Sequence, residues 1–307
     1  MGFLCTSKDS PHFSIRTVMF TFDLRIIGSL IAAASGTVGI VVGFSKFIRW
    51  IQRKEKNPYA FKVKHIKDIG GADLSAALDL YEGRFLEYDS AQMDSKEDII
   101  RWLSEANNKK QQERLREDFF IATRKGRVVG GLYTQYYKKS RYLFISYLFV
   151  KKGGDGPIGL HLAKYLKNFV KKELKECKGV LFESISESTG NKLTKKDGHI
   201  RHFRFIARQI GFKARQVVIN YLQPKLSLWD GDSKERNLAL LYVSLDDFQS
   251  SEFLPRSEVE NILNFIYEDL YGDCFAYDES KDTEYRAYLK ILSQRVMSVL
   301  PDQIQLS

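Results

Sequence analysis

The chain has 307 residues, 44% of them hydrophobic and 28% charged, with a mean hydropathy of −0.31. That composition excludes a disordered chain and a polytopic membrane protein, and the length allows one or two domains with a buried core. Residues 1–56 hold 8 Lys/Arg against 3 Asp/Glu, residues 57–230 hold 33 against 20, and residues 231–307 hold 7 against 15. A basic middle and an acidic end point to differently built modules, the basic one facing something anionic. The three cysteines, Cys5, Cys177 and Cys274, are too scattered for a disulfide framework or a CxxC metal site, which suits a reducing compartment.

The first element is a membrane segment. Nineteen uncharged residues run from Ile26 to Phe44, and at about 1.5 Å per residue they span roughly 28 Å, near the hydrocarbon thickness of a bilayer. Four glycines would make a poor soluble helix, and a polar stretch with Asp23 and Arg25 precedes the apolar run, unlike a cleaved signal peptide. Lys46, Arg49, Arg53, Lys54 and Lys56 crowd the far side, so the chain after residue 45 is expected in the cytoplasm. This predicts a single-pass protein, with residues 1–56 as tail, transmembrane helix (about 26–45) and basic linker. A bacterial inner membrane is the expected location. Gly28, Ala32 and Gly36 share one face and could let two such helices pair into a homodimer.

Phe61–Ile66 alternates like a strand, and Leu74, Ala77, Leu78 and Tyr81 give Ala72–Phe85 a helical period. Ser95 with Asp98 opens a second helix through Leu103. Phe119–Thr123, Val128–Tyr137 and Tyr142–Val150 read as an antiparallel meander. After Gly153, Gly154, Gly156 and Pro157 comes a long helix with Leu162, Leu166, Phe169, Val170, Leu174 and Cys177 as its apolar stripe. Gly179–Ile185 is a short strand, and His199–Ile210 a helix closed by Gly211. Val217–Leu222 and Ala239–Leu245 are further strands. The tail adds a helix capped at Ser257 with Glu260 and another from about Glu284 to Pro301.

A glycine-rich turn feeding a helix presents backbone N–H groups and the positive end of the helix dipole, an anion site suited to a pyrophosphate. Gly159 would permit close backbone approach, and Pro157 is tolerated in a first helical turn. The basic stretch Lys151–Lys178 carries eight positive residues against three acidic. No helix-turn-helix, finger or RNP-like motif accompanies it, so nucleic acid is not the expected partner. The five histidines have no HxH or HExxH spacing, so no catalytic metal is expected.

In this order the elements of residues 58–228 resemble the GNAT superfamily of acyl-CoA-dependent N-acyltransferases. The likeness is carried by Tyr147, Leu148, Phe149 and Val150, the Gly153–Gly159 turn, Leu181–Glu183, and Arg201–Ile210 followed by Gly211 and Phe212. The stretch Tyr221–Leu226 is similar to a Tyr-x-Gln-Pro-x-Leu segment of a bacterial subgroup that also carries a strand and helical tail. The resemblance implies an α/β (α+β) fold: a mixed, splayed β-sheet flanked by helices, with a domain at 57–228 and an acidic strand-plus-helix extension at 229–307. It implies acetyl-CoA as donor and an amine, small molecule or protein, as acceptor. The pantetheine arm would bond the backbone near Phe149 and Val150, and the diphosphate would sit on Gly154, Gly156, Ile158 and Gly159. The tyrosine often found four residues before the final Gly-Phe is Ala207 here, so the usual proton donor to the leaving thiolate is missing.

A thiol leaves as thiolate at a cost of only about 2 kcal/mol near pH 7, whereas an amine of pKa about 10.4 is neutral in roughly one molecule in 2,500, worth about 4.6 kcal/mol. A base therefore matters more than the missing acid. Glu183, in the short strand bordering the splay, is the candidate, with pairing to an arginine such as Arg204 as the purely structural alternative. Tyr147 is a candidate donor. Glu82 and Glu87 could select a cationic substrate. The reading from another class is a GNAT-like domain without turnover, serving as an acyl-CoA sensor or a membrane-tethered interaction module.

Overall fold

The computed structural model of the chain describes residues 61–85, 94–106, 113–151, 157–185, 197–229, 231, 233–245 and 251–307. The expected membrane segment, Glu87, Gly154 and Gly156 lie outside the described residues. No helix among the described residues is long and apolar enough to cross a membrane.

Residues 61–307 form one compact unit around a mixed eight-stranded sheet. Strand β1 (Lys62–His65) leads to helices α1 (Ala72–Phe85) and α2 (Lys96–Glu105), then the meander β2 (Leu115–Arg124), β3 (Arg127–Tyr137) and β4 (Tyr142–Val150). Helix α3 (Pro157–Glu173) crosses over to β5 (Gly179–Ile185), and α4 (Asp197–Gln209) is followed by β6 (Arg215–Val217), β7 (Leu222–Gln223) and β8 (Arg236–Ser244). The order across the sheet is β1-β2-β3-β4-β5-β8-β6, with β7 also on β8. Among the described strands of this sheet only the β4–β5 pair is parallel.

Local chemistry explains most of these elements. Leu74, Ala77, Leu78 and Tyr81 are the buried face of α1. The Ser95 hydroxyl accepts from the Asp98 N–H (3.0 Å) and donates to the Asp98 carboxylate (2.8 Å), satisfying an orphan donor of α2. Gly211 sits at φ 75°, the left-handed conformation that glycine adopts without a Cβ penalty, and the Phe212 N–H reaches back to the Ala207 carbonyl (2.8 Å) to close α4.

Alternation along the strands divides the core into two faces. Phe120, Leu132, Leu143, Val180 and Leu241 point to the side covered by α3 and α4. Their neighbours Phe119, Tyr133, Tyr137, Phe144 and Leu181 point to the other side, covered by α1, α2 and the C-terminal helices. Gly131 of β3 allows one close contact there, because a Cβ at that position would overlap the Phe149 ring of β4. Gly131→Ala is expected to lower stability by about 1–3 kcal/mol through overpacking, read as a lower denaturant midpoint at unchanged slope. An unmoved midpoint would show that the ring has room to turn away.

The structure corrects several expectations. The change of charge near residue 230 is not a change of packing: β8, from the acidic segment, lies between β5 and β6 inside the sheet. The strand expected over Val217–Leu222 is two short ones, because the Val218 N–H turns to the Gln305 carbonyl instead of to β8. After β9 (Phe253–Pro255), helix α5 (Arg256–Asn264) begins before Ser257, with Pro255 at the cap position, and Glu260 pairs with Arg256 at 2.7 Å. It continues as a π-helical turn, Phe265–Leu270. Helix α6 (Glu279–Met297) starts five residues earlier than expected, where the Asp278 carboxylate accepts from the Lys281 N–H (3.3 Å). A final strand, β10 (Gln303–Gln305), pairs with β9.

Candidate active site

β4 and β5 pair over only three positions, Tyr142–Phe144 with Gly179–Leu181, and then part. The cause lies in the β3–β4 register. Tyr133 faces Tyr147 but Thr134 faces Ile145, leaving Ser146 as an extra residue in β4. Such a bulge bends its strand and increases its twist, here away from β5. Beyond it, the Lys151 N–H bonds the Val129 carbonyl (2.9 Å). Antiparallel alternation then gives the backbone groups of Tyr147 and Phe149 to β3 and aims those of Leu148 and Val150 into the gap. Phe149 thus contributes its ring to the wall rather than its amide.

The gap is a cleft of about 710 Å³. Leu148, Phe149 and Val150 form one wall, and Phe182, Glu183 and Ser184 of β5 the other. Gly159 of α3 and Ile206 of α4 close the back. A Cβ on Gly159 would stand 3.3 Å from Ile206 Cδ1, so glycine lets the first turn of α3 come close to α4. Ile158 is buried beside it. The C-terminal segment covers the front through Leu270, Tyr271, Asp273 and Cys274.

Glu183 is the most elaborately held side chain in the cleft. Its carboxylate accepts hydrogen bonds from the Tyr221 hydroxyl, the Tyr271 hydroxyl (2.8 Å) and the Gln223 amide (3.1 Å). Burial pushes its pKa up to about 7, against the pull of these three donors toward the ionised form. Arg204 is not its partner; that guanidinium donates to the Ser307 carbonyl at 2.8 Å. A carboxyl that is half ionised at neutral pH and held by fixed donors is suited to receive a proton.

Tyr147 also faces the cleft, with its proton committed elsewhere. The hydroxyl donates to Asp94 at 2.6 Å and accepts from the Asp94 N–H at 3.2 Å. Burial, with the nearby Asp94 charge, holds the phenol well above its ordinary pKa. Burial raises Asp94 itself to about 6. Ala207 is buried against the α3 side of the sheet. Glu82 is not part of the wall, and its carboxylate pairs with Lys96 at 2.6 Å.

The structure therefore brings together Tyr147, Phe149, Val150, Gly159 and Glu183 around one cavity. It adds Asp94, Glu117, Gln223 and Tyr271, which sequence reasoning did not single out as site residues. For Gln223 a signal existed: Tyr221 and Gln223 are two apart in an extended segment and so share a face. Asp94, Glu117 and Tyr271 offered none, because only tertiary packing brings them to the cleft.

No family model matches the chain, and no curated protein matches it. Among solved structures it is similar to a putative acetyltransferase of the GNAT family from Bacteroides thetaiotaomicron, with 13% identity over 69% of this chain and 98% of that one, at a TM-score of 0.47. An acetyltransferase from Streptococcus agalactiae shares 17% identity over 61% and 99%, with a TM-score of 0.39. A putative acetyltransferase from Salmonella typhimurium, solved with acetyl-CoA, shares 14% over 61% and 95%, with a TM-score of 0.37.

Proposed function

We propose that the chain is an acyl-CoA-dependent N-acyltransferase that moves an acetyl group from acetyl-CoA to an amine. The observation that carries this reading is the early parting of β4 and β5, which opens a cleft between an unpaired backbone edge and Glu183. The amide groups of Leu148 and Val150 suit an extended pantetheine arm, as an added strand would. The first turn of α3, with Ile158 and Gly159, suits a diphosphate, and Gly154 and Gly156, shortly before it in sequence, are proposed to join it.

Acetyl-CoA supplies a thioester carbonyl. Glu183 takes the proton from the acceptor ammonium, the freed nitrogen lone pair forms the new C–N bond, and the C–S bond breaks with its electron pair on sulfur. Tyr221, Tyr271 and Gln223 keep the Glu183 carboxylate aimed and share its charge. With Ala207 in place of the expected tyrosine and the Tyr147 proton held by Asp94, the acylated nitrogen sheds its second proton as the amide forms, and that proton passes through water to the thiolate, while Glu183 returns its own proton to solvent. Residues 26–45 would confine the reaction to the membrane surface.

The test is calorimetry of the full chain with acetyl-CoA, followed by thiol release across a panel of amines. Binding with one thiol released per amine acylated is expected. Ala207 and the Tyr147–Asp94 bond favour a second reading, an acyl-CoA sensor, and binding with no thiol release would support it. No binding at millimolar acetyl-CoA would remove both.

A further inference from the structure

The cleft is acidic within a chain of formal charge +10. Five carboxylates line it (Asp94, Glu105, Glu117, Glu183 and Asp273) against two guanidinium groups, Arg84 and Arg236. Two of the five are neutralised by the chain itself. Arg114 grips Asp273 through both terminal nitrogens at 2.9 and 2.5 Å, and Arg101 stands 3.9 Å from Glu105.

Glu117 and Asp94 differ. Among the described residues no lysine, arginine or histidine forms an ion pair with either. Glu117 Oε1 accepts from the Gln135 amide at 2.9 Å, and the Tyr133 hydroxyl beside the carboxylate favours its ionised form, but no cation meets Oε2. Burial raises Glu117 to about 7 and Asp94 to about 6. An unpaired buried carboxylate costs several kcal/mol unless a cation or a proton joins it. Each of the two is held by a neutral donor, the Tyr147 hydroxyl on Asp94 and the Gln135 amide on Glu117, which leaves room in the cleft for a cation from outside.

The sheet fixes how far this acidic end lies from Glu183. Glu117 of β2 faces Gln135 of β3, Gln135 faces Phe144 of β4, and Phe144 faces Leu181 of β5, two residues from Glu183. Three inter-strand steps of about 4.8 Å and two residues of strand place the two carboxylates roughly 15 Å apart at Cα, on the same face. Phe85, Trp102 and Tyr147 also line the cleft, and aromatic faces attract ammonium groups. Among the described residues no group of three acidic, histidine or cysteine side chains is placed to hold a metal ion.

We propose that the acceptor is a linear molecule with two ammonium groups: the distal one sits at Glu117 while the other, at Glu183, is acylated. The proposal rests on the transfer reading for its second half only. The test is calorimetry of the full chain, without acetyl-CoA, against α,ω-diaminoalkanes and the monoamines of equal chain length, for wild type and Glu117→Gln. The diamine is expected to bind about 10- to 100-fold more tightly than its monoamine, as one charge-assisted contact would give. Glu117→Gln is expected to remove that advantage, with the thermal midpoint as the folding control. Equal affinity of diamine and monoamine for the wild-type chain overturns the proposal, whatever the variant does, as does a variant that keeps the advantage. A diamine preference in a chain that never binds acetyl-CoA would leave the dication site standing and sink the transfer reading. Acylation of monoamines without a diamine preference would do the reverse.

Discussion

Glu183→Gln is expected to lower the rate of amine acylation by roughly 10²–10⁴ while leaving acetyl-CoA affinity within about threefold of wild type. The sign of the pH dependence follows from the direction of the shift. Only the ionised carboxylate can take a proton, and burial holds the Glu183 pKa at about 7. The wild-type rate should therefore rise with pH up to about 7, falling about tenfold per unit below it. In the glutamine variant the break near pH 7 should vanish, the rate climbing on through neutral pH with the ionisation of the amine itself. The substitution keeps the shape of the side chain, and its carbonyl can still accept from the Tyr221 and Tyr271 hydroxyls. Its NH₂, however, meets the Gln223 amide donor that now bonds Oε2 at 3.1 Å. That mismatch costs about 1–3 kcal/mol, offset by the removal of a buried charge, so the thermal midpoint should move little. A variant that keeps the rate and the break near pH 7 would show that Glu183 is a structural acid.

How much of this was legible depends on whether the information was local. Helix α1, strands β4 and β5, and the glycine end of α4 announce themselves through period, composition or a required backbone angle, and they stand where those signals put them. Strand β8 was visible as the apolar run near Ala239, yet nothing local says that it pairs with β5 on one side and β6 on the other. The acidic composition around it suggested a separate module, because charge reports what faces water and β8 is buried. The start of α6 was missed because Glu279–Thr283 carries no apolar stripe; the Asp278 cap begins the helix more than a turn and a half before the first core residue, Tyr285.

The site divides the same way. Glu183 could be placed from its position in a short strand beside an expected splay. Its three donors come from Tyr221, Gln223 and Tyr271, the last of them 88 positions away. Asp94 and Glu117 read as ordinary surface acids in sequence. They acquire significance only where the sheet and the C-terminal turn enclose them without a counter-charge, and no periodicity encodes that.

The largest effect on cofactor affinity should come from Gly159. Backbone N–H groups of the first turn of a helix have no intrahelical acceptor, and with the dipole they attract anions. Gly159 is buried in that turn and lines the cleft. In Gly159→Glu, the Cβ starts 3.3 Å from Ile206 Cδ1, so the side chain is turned toward the open cleft, where its carboxylate caps the amides that a diphosphate would need. A like charge about 4–5 Å away at an effective dielectric near 20 costs on the order of 3–4 kcal/mol, so acetyl-CoA affinity should fall by roughly 100- to 1,000-fold. The helix itself should tolerate the change, since an acidic group near its N-terminus is favourable. Gly159→Ala separates charge from bulk: its methyl asks Ile206 to give by a few tenths of an ångström, and binding should stay within about tenfold of wild type. If titration finds Gly159→Glu binding as tightly as wild type, the diphosphate does not sit on α3. If Gly159→Ala loses as much affinity as Gly159→Glu, the loss belongs to the packing of α3 on α4 and not to charge at the helix end.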